Sequence, residues 1–432
     1  MTFKKVWIET YGCQMNKAES AALLLELTRE GWHPGDSAET ADLVVLNTCS
    51  VRRTAEERIQ GRLGHYRRAK KKRDFTLALI GCMGERQSGE LANDFPEIDV
   101  IAGTFRKHEL ARAIRKSEET GERIVLEGGD DYSFSSLHST GGFKAFLPIM
   151  HGCNNFCSYC IVPLVRGREV SRSPESILEE IRVLEKRGII EITLLGQNVN
   201  SYRHGETSFA SLLKMVTEPL SSARWVRFLT SHPRDFSDEI IEIIASEPRF
   251  CRHIHLPVQS GSNTILSAMN RGYTAERYES LVNRIRSVLT DVSISTDILI
   301  GFPGETERDF LETIGLMERV GFDDAFMYYY NPRERTPAFG LADQLPDMVK
   351  LERLSRVIET QKRVSETGMR KRIGREVEVL VENVSKKNKR ELLGRTQWDG
   401  MVVFPGPETL IGTLAKVRLD DRKGNTFHGS TV

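Results

Sequence analysis

Along most of this chain, short apolar runs of strand type alternate with longer amphipathic stretches of helix type. That rhythm restricts the fold to βα units built on parallel sheet. It opens with VWIET (6–10), a helical stretch from Asn16 to Glu30, ADLVVLN (41–47), a second helical stretch over 52–73, and FTLALIG (75–81). From Phe143 it resumes with FLPIM, IEITLLG, WVRFLTS, HIHLPV, VSISTDILIG and DAFMYYY. The helical patterns between them include 174–187, 208–218, 275–289 and 306–319. Six consecutive repeats predict a barrel of TIM type that stops short of the eight strands of a complete one.

Two segments break the rhythm. EGGDDYSFSSLHSTGG (127–142) is poor in aliphatic residues and reads as a linker. After a last long helix, EVEVLVENV, ELLGRTQWDGMVVF and TLAKVRLDD alternate apolar and polar residues with period two, broken by Gly, Pro and Asn. This predicts a small antiparallel β-barrel. The expected α/β units are therefore a parallel-sheet domain at 1–126, a linker at 127–142, a partial barrel at 143–366 and the β-barrel at 367–432. A chain of 432 residues suits about three domains.

A hydrophobic content of 39 %, with 34 glycines besides, excludes disorder as a description of the whole chain. No run approaches the ~18 apolar residues needed to cross a bilayer. MTFKKVWIETYG enters a strand without an apolar signal region, so a cytoplasmic protein is expected. Nothing in the sequence calls for an obligate assembly, and a monomer is the expectation. The net charge of +1 argues against coating nucleic acid by bulk charge. The charge is uneven, however: residues 367–432 carry 13 Lys and Arg against 8 Asp and Glu. Lys386, Lys387, Lys389 and Arg390 in that segment suit either a nucleic-acid grip or a solvated loop.

Seven cysteines in a chain without an export signal are more often metal ligands or catalytic groups than disulfide partners. HGCNNFCSYC places Cys153, Cys157 and Cys160 on one loop at the C-terminal edge of the first barrel strand, where barrel active sites lie. Three thiolates so spaced can hold three corners of a four-iron cluster and leave one iron open. A zinc knuckle or three unrelated buried thiols are the alternatives, although a closed zinc site wants a fourth ligand. Cys13, Cys49 and Cys82 each follow a strand of the N-terminal domain and are one βα unit apart. A parallel sheet points all its strand ends to one edge, so these three thiols converge there too. Cys251 precedes a strand, has no partner spacing and reads as an ordinary buried thiol.

The Cys-x3-Cys-x2-Cys loop resembles that of the radical S-adenosylmethionine (SAM) superfamily. The three-segment layout resembles its methylthiotransferase branch, which ends in a TRAM barrel. YGCQMN around Cys13 and NTCSVR around Cys49 are similar to the tRNA 2-methylthio-N6-dimethylallyladenosine synthases (MiaB type), as are VPLVRGREVSR, LLGQNVNSY, TSHP, HLPVQSGS and DILIGFPGET. At 151 this chain has His where many relatives have Glu, which speaks against a fixed catalytic role there.

The resemblance implies two [4Fe-4S] clusters, one on Cys153, Cys157 and Cys160 with SAM at its open iron, the other on Cys13, Cys49 and Cys82. It implies that SAM serves both as methyl donor and as the source of a radical. The methylthio group then goes to carbon 2 of isopentenylated adenosine at position 37 of tRNA. An electron donor such as flavodoxin or ferredoxin is implied as a partner. The same chemistry on threonylcarbamoyl-adenosine or on a ribosomal protein is the second reading, and a zinc-stabilised RNA-binding scaffold is the non-enzymatic one. Gly196, Gln197 and Asn198, with Gln259 and Ser260, are candidates for SAM contact, against a purely structural role in βα turns. Arg166, Arg168 and Arg172 are candidates for phosphate contact, because Arg forks onto phosphate oxygens. Trp398 and Phe404 suit either base stacking or the barrel core, the core being the expectation.

Overall fold

The computed structural model describes residues 4–50, 53–129, 132–139 and 141–432. The N-terminal sheet is built from β1 (Lys5–Thr10), α1 (Gln14–Arg29), β2 (His33–Pro34), β3 (Leu43–Thr48), α2 (Arg53–Lys70), β4 (Thr76–Gly81), α3 (Cys82–Asp94), β5 (Val100–Ala102), α4 (Leu110–Thr120) and β6 (Ile124–Leu126). Its strand order is β2-β1-β3-β4-β5-β6, and every pairing is parallel.

The near-continuous apolar runs of β3 and β4 follow from burial on both faces of a parallel sheet. Val44, Leu46, Leu77 and Leu79 pack on one face with Ile59 and Leu63 of α2. Leu43, Val45, Ala78 and Ile80 pack on the other with Leu23 and Leu27 of α1 and Ile114 of α4. Each such aliphatic side chain, once fully buried, contributes about 1.5–3 kcal/mol. The chain leaves β1 for β2 on one side and for β3 on the other. Strand order therefore reverses between β1 and β3, which opens a crevice outside their C-terminal ends.

The segment expected as a linker is packed against the protein where it is described. The Tyr132 ring stacks on His151 with centroids 3.5 Å apart, and its hydroxyl donates to Glu19 at 3.3 Å. His138 is buried against the Glu180 carboxylate at 3.0 Å. Its polar composition reflects these partners, which a reading of local propensity does not contain.

The barrel follows as β7 (Lys144–Pro148), β8 (Met150–His151), α5 (Val162–Arg166), β9 (Val170–Ser171), α6 (Pro174–Lys186), β10 (Glu191–Leu195), β11 (Arg203–His204), β12 (Thr207–Ser208), α7 (Phe209–Thr217), β13 (Trp225–Phe228), α8 (Asp238–Ser246), β14 (His253–His255), α9 (Asn263–Ala268), α10 (Ala275–Val288), β15 (Ser293–Ile300), α11 (Glu307–Val320), β16 (Asp324–Tyr329) and α12 (Asp347–Arg370). The six strands expected from sequence form two parallel three-stranded sheets, β7-β10-β13 and β14-β15-β16. A parallel bridge between Val226 and Phe250 joins them. Ser173, Ser208, Thr274 and Thr306 cap the N-termini of α6, α7, α10 and α11 with their side chains, which fixes where those helices begin.

The C-terminal strands β17 (Glu376–Val384), β18 (Glu391–Thr396), β19 (Met401–Pro405), β20 (Leu414–Lys423) and β21 (Thr426–Thr431) close a barrel in the order β17-β18-β19-β21-β20. All pairs are antiparallel except β19 with β21. Phe404 and Trp398 belong to its core. Arg227 of β13 ties this barrel to the larger one, donating to the carbonyls of Thr396 at 2.7 Å and Gln397 at 2.9 Å.

Candidate active site

The Cys153–Cys160 loop lies inside the antiparallel β8–β9 pair, which clamps both of its ends. Gly152 turns the chain with φ +78°, and a Cβ there would fall 1.9 Å from the Arg168 carbonyl oxygen. Only glycine allows that approach. The loop is fastened to the end of α9 and the residues after it: Ser158 Oγ donates to the Ala268 carbonyl at 2.7 Å, and Asn270 Nδ2 donates to the Phe156 carbonyl at 3.0 Å. Arg271, which the sequence reading missed, donates to Cys157 Sγ at 3.3 Å and to the Pro257 carbonyl at 2.8 Å. That buried guanidinium holds the Cys157 side chain in place. Burial pushes the Cys160 thiol up to about 12 and the Cys153 thiol up to about 11. Binding a cluster there must therefore release protons.

The second set of cysteines stands at the crevice of the N-terminal sheet. Cys13 is the N-cap residue of α1, and Cys82 is the first residue of α3. Two helix N-termini thus point positive ends at this edge, an arrangement suited to anionic ligands. A buried amide network fixes the first two strand ends. Asn16 Nδ2 donates to Asn47 Oδ1 and to the Thr48 carbonyl, each at 3.0 Å, and Asn47 Nδ2 returns a bond to the Asn16 carbonyl at 2.9 Å. Gly81 (φ +95°) brings the end of β4 so close that a Cβ would meet the Thr48 carbonyl oxygen at 2.6 Å.

Among the described residues no three His, Cys, Asp or Glu side chains gather tightly enough to hold a single metal ion. Corners of a four-iron cluster sit on different irons and stand farther apart than ligands of one ion. In chemistry the donor sets fit such clusters. They consist of three thiols on one clamped loop, and of three more at a sheet edge served by two helix dipoles.

The two sets meet. Cys82 packs against Ile161, which follows Cys160 directly, and against Val165 of α5. A cavity of about 1140 Å³ runs down the larger barrel, lined by Tyr159, Cys160 and Gln259 and also by Gln14 and Lys17, which follow Cys13. It reaches Trp398 and Asp399 of the C-terminal barrel. Near the loop edge the buried polar atoms Gln197 Oε1, Ser231 Oγ and His232 Nε2 have no hydrogen-bond partner, as expected of groups awaiting a polar ligand.

Models of three families match this chain: the Radical SAM superfamily over residues 147–317, Uncharacterized protein family UPF0004 over 5–103 and the TRAM domain over 370–432. A protein of Treponema denticola named tRNA-2-methylthio-N(6)-dimethylallyladenosine synthase is 47 % identical, over 98 % of this chain and 99 % of its own length. Another of that name, from Carboxydothermus hydrogenoformans, is 43 % identical over 99 % of both. The chain belongs to this family. Among solved structures, the radical SAM methyltransferase TsrM of Kitasatospora setae, with cobalamin and a [4Fe-4S] cluster bound, superposes with a TM-score of 0.60 at 16 % identity, over 78 % of this chain and 74 % of that one. That likeness speaks to the fold alone. Membership of the radical SAM superfamily implies one [4Fe-4S] cluster and SAM.

Several other candidate residues are placed differently from expectation. Asn198 is turned into the protein, donating to Asp235 at 2.9 Å and accepting from the His232 amide at 3.1 Å. Ser260 is buried against Thr313 at 3.2 Å. Gly196 makes room for the Met150 side chain, whose Cγ would lie 2.4 Å from a Cβ there. Gln197, with its unpartnered oxygen, and Gln259, on the cavity wall at φ +74°, keep side chains available to a ligand.

Arg166 and Arg172 are not surface groups. Arg166 is bound to Glu19 at 2.9 Å and Arg172 to Glu180 at 2.5 Å, and both are buried. This corrects the expectation of phosphate contact, because each guanidinium neutralises a buried carboxylate. Arg168 is exposed and lies over the exposed Phe156 ring at 4.4 Å. Lys386, Lys387, Lys389 and Arg390 are exposed on the β17–β18 connection.

Proposed function

We propose that this protein transfers a methylthio group to carbon 2 of N6-isopentenyladenosine at position 37 of tRNA. Cys153, Cys157 and Cys160 hold a [4Fe-4S] cluster with SAM at its open iron, and Cys13, Cys49 and Cys82 hold a second. One observation carries the reading: a single cavity is lined both by Cys160 and by the residues that follow Cys13. When bound, the two clusters supply the electron that cleaves SAM to a hydrogen-abstracting radical and the sulfur that is methylated and delivered. The protein contributes position and exclusion of water. Arg271 orients Cys157, the β8–β9 clamp fixes the loop, and α1 carries Cys13 to the mouth of the barrel. Gln197 and Gln259 offer polar atoms to SAM.

Arg168, Lys386, Lys387, Lys389 and Arg390 are left to meet the tRNA backbone, as exposed cations do. The working units are 1–126, 143–366 and 367–432, with 127–142 as the strap between the first two. A flavodoxin- or ferredoxin-like donor supplies electrons to the monomer in the cytoplasm. No helix among the described residues is long and apolar enough to cross a membrane.

Nucleoside mass spectrometry of tRNA from a deletion strain tests this. The 2-methylthio nucleoside disappears, its isopentenyladenosine precursor accumulates, and the plasmid-borne gene restores the original pattern. Unchanged 2-methylthio-isopentenyladenosine in that strain overturns the substrate assignment.

A further inference from the structure

Between the two cysteine sets lies a buried cluster of charged groups that the proposed reaction does not use. Glu19, on α1 six residues after Cys13, accepts from Arg166 Nη1 at 2.9 Å and Nη2 at 3.3 Å. It also pairs with Lys107 at 2.5 Å. Arg166 ends α5, the short helix that leads out of the Cys153–Cys160 loop. Its Nη1 also faces His151 Nδ1 at 3.4 Å, just before that loop. The side chains of Arg166 and Glu19 are 4 % and 3 % exposed, so water screens their charge little.

Burial alone would push the Arg166 guanidinium down. Glu19 and the Cys82 and Cys13 thiols hold it well above its ordinary value instead. Burial pushes Lys107 below its usual range, against the pull of Glu19. A guanidinium is not deprotonated in proteins, so Arg166 is a permanent cation of this cluster, and Cys82 packs directly against Val165, its neighbour in sequence.

We propose that Arg166, set against Glu19, is a positioning residue that fixes the charge behind Cys13 and Cys82 and so sets the reduction potential of the cluster they hold with Cys49. The inference rests on the assignment of that cluster under Proposed function. Adding one electron from an external reductant makes the cluster one charge more negative, with no bond formed or broken. A permanent cation nearby favours that state, and a permanent anion opposes it. Net charge and solvent exposure are established controls on such potentials. In low dielectric a buried charge acts more strongly than one on the solvated surface.

The test uses the full-length chain carrying Cys153→Ala, Cys157→Ala and Cys160→Ala, which retains the second cluster alone. It is reconstituted with iron and sulfide and titrated with dithionite while the EPR signal is followed. Arg166→Gln is expected to move the midpoint to more negative potential and Glu19→Gln to more positive potential. Arg166→Lys, which keeps the charge, and the double Arg166→Gln/Glu19→Gln variant, which removes both charges, are expected near the parent value. Should Arg166→Gln fail to load, the direction of the Glu19→Gln shift decides alone. Shifts in one common direction, or none, overturn the inference while leaving the cluster assignment intact. A parent chain that binds no iron overturns the assignment itself, and the inference with it.

Discussion

A methyl group at Gly152 would fall 1.9 Å from a backbone oxygen at a left-handed φ of +78°, so Gly152→Ala must open the β8–β9 clamp. The loop that carries Cys153, Cys157 and Cys160 shifts with it, while the N-terminal sheet is untouched. Iron analysis of reconstituted protein is expected to show loss of about four irons from a total of about eight.

Glu9 gives a pH signature. Burial pushes its carboxyl up, but hydrogen bonds from Arg62, Tyr11 and Tyr66 outweigh this and hold it at about 2. Its folded value lies below its unfolded one. The pairing therefore contributes stability above pH 4.5, and that contribution is lost as the pH falls toward 2. For this half-buried group solvent screening leaves a contribution below the ~3 kcal/mol that the full displacement would represent. Urea midpoints of the metal-free protein are expected to fall over this range, and Glu9→Gln is expected to flatten the fall. A slope unchanged by Glu9→Gln refutes the assignment.

At the scale of elements, the two barrels are joined through Arg227 of β13. It pairs with Glu191 of β10 at 2.6 Å and donates to two carbonyls beyond β18 and at its end. Lys144 of β7 spans Glu191 at 3.1 Å and Glu382 of β17 at 2.6 Å. Removing one member of a buried ion network costs about 3–5 kcal/mol, because its partner stays buried and unpaired. Arg227→Ala is expected to give the C-terminal barrel its own, earlier transition in calorimetry, and one cooperative transition would count against this coupling.

The strands at this scale were legible in the sequence, since apolar runs report burial on both faces of a parallel sheet. Helix α8 and the packing of the described part of 127–142 were not. The strap is held by Tyr132 on His151 and His138 on Glu180, contacts that leave no periodic trace.

For the whole molecule, replacing Cys153, Cys157 and Cys160 together by Ala is expected to halve the iron, to about four per chain. Iron unchanged by the triple substitution would remove the cluster assignment for that loop. The sequence by itself determined the six strands of the larger barrel, the C-terminal barrel and the family. The strands and the barrel follow from local periodicity, and the family follows from the resemblance carried by HGCNNFCSYC, YGCQMN and NTCSVR.

Only the tertiary structure decided where the polar side chains point. Arg166 looked like a surface cation, but its carboxylate partner is 147 residues away in Glu19. Asn198 and Ser260 looked like ligand contacts and instead hold loops and helices together. A buried charge goes where an opposite charge can neutralise it, and that partner is fixed by how domains pack, which no local pattern of residues records.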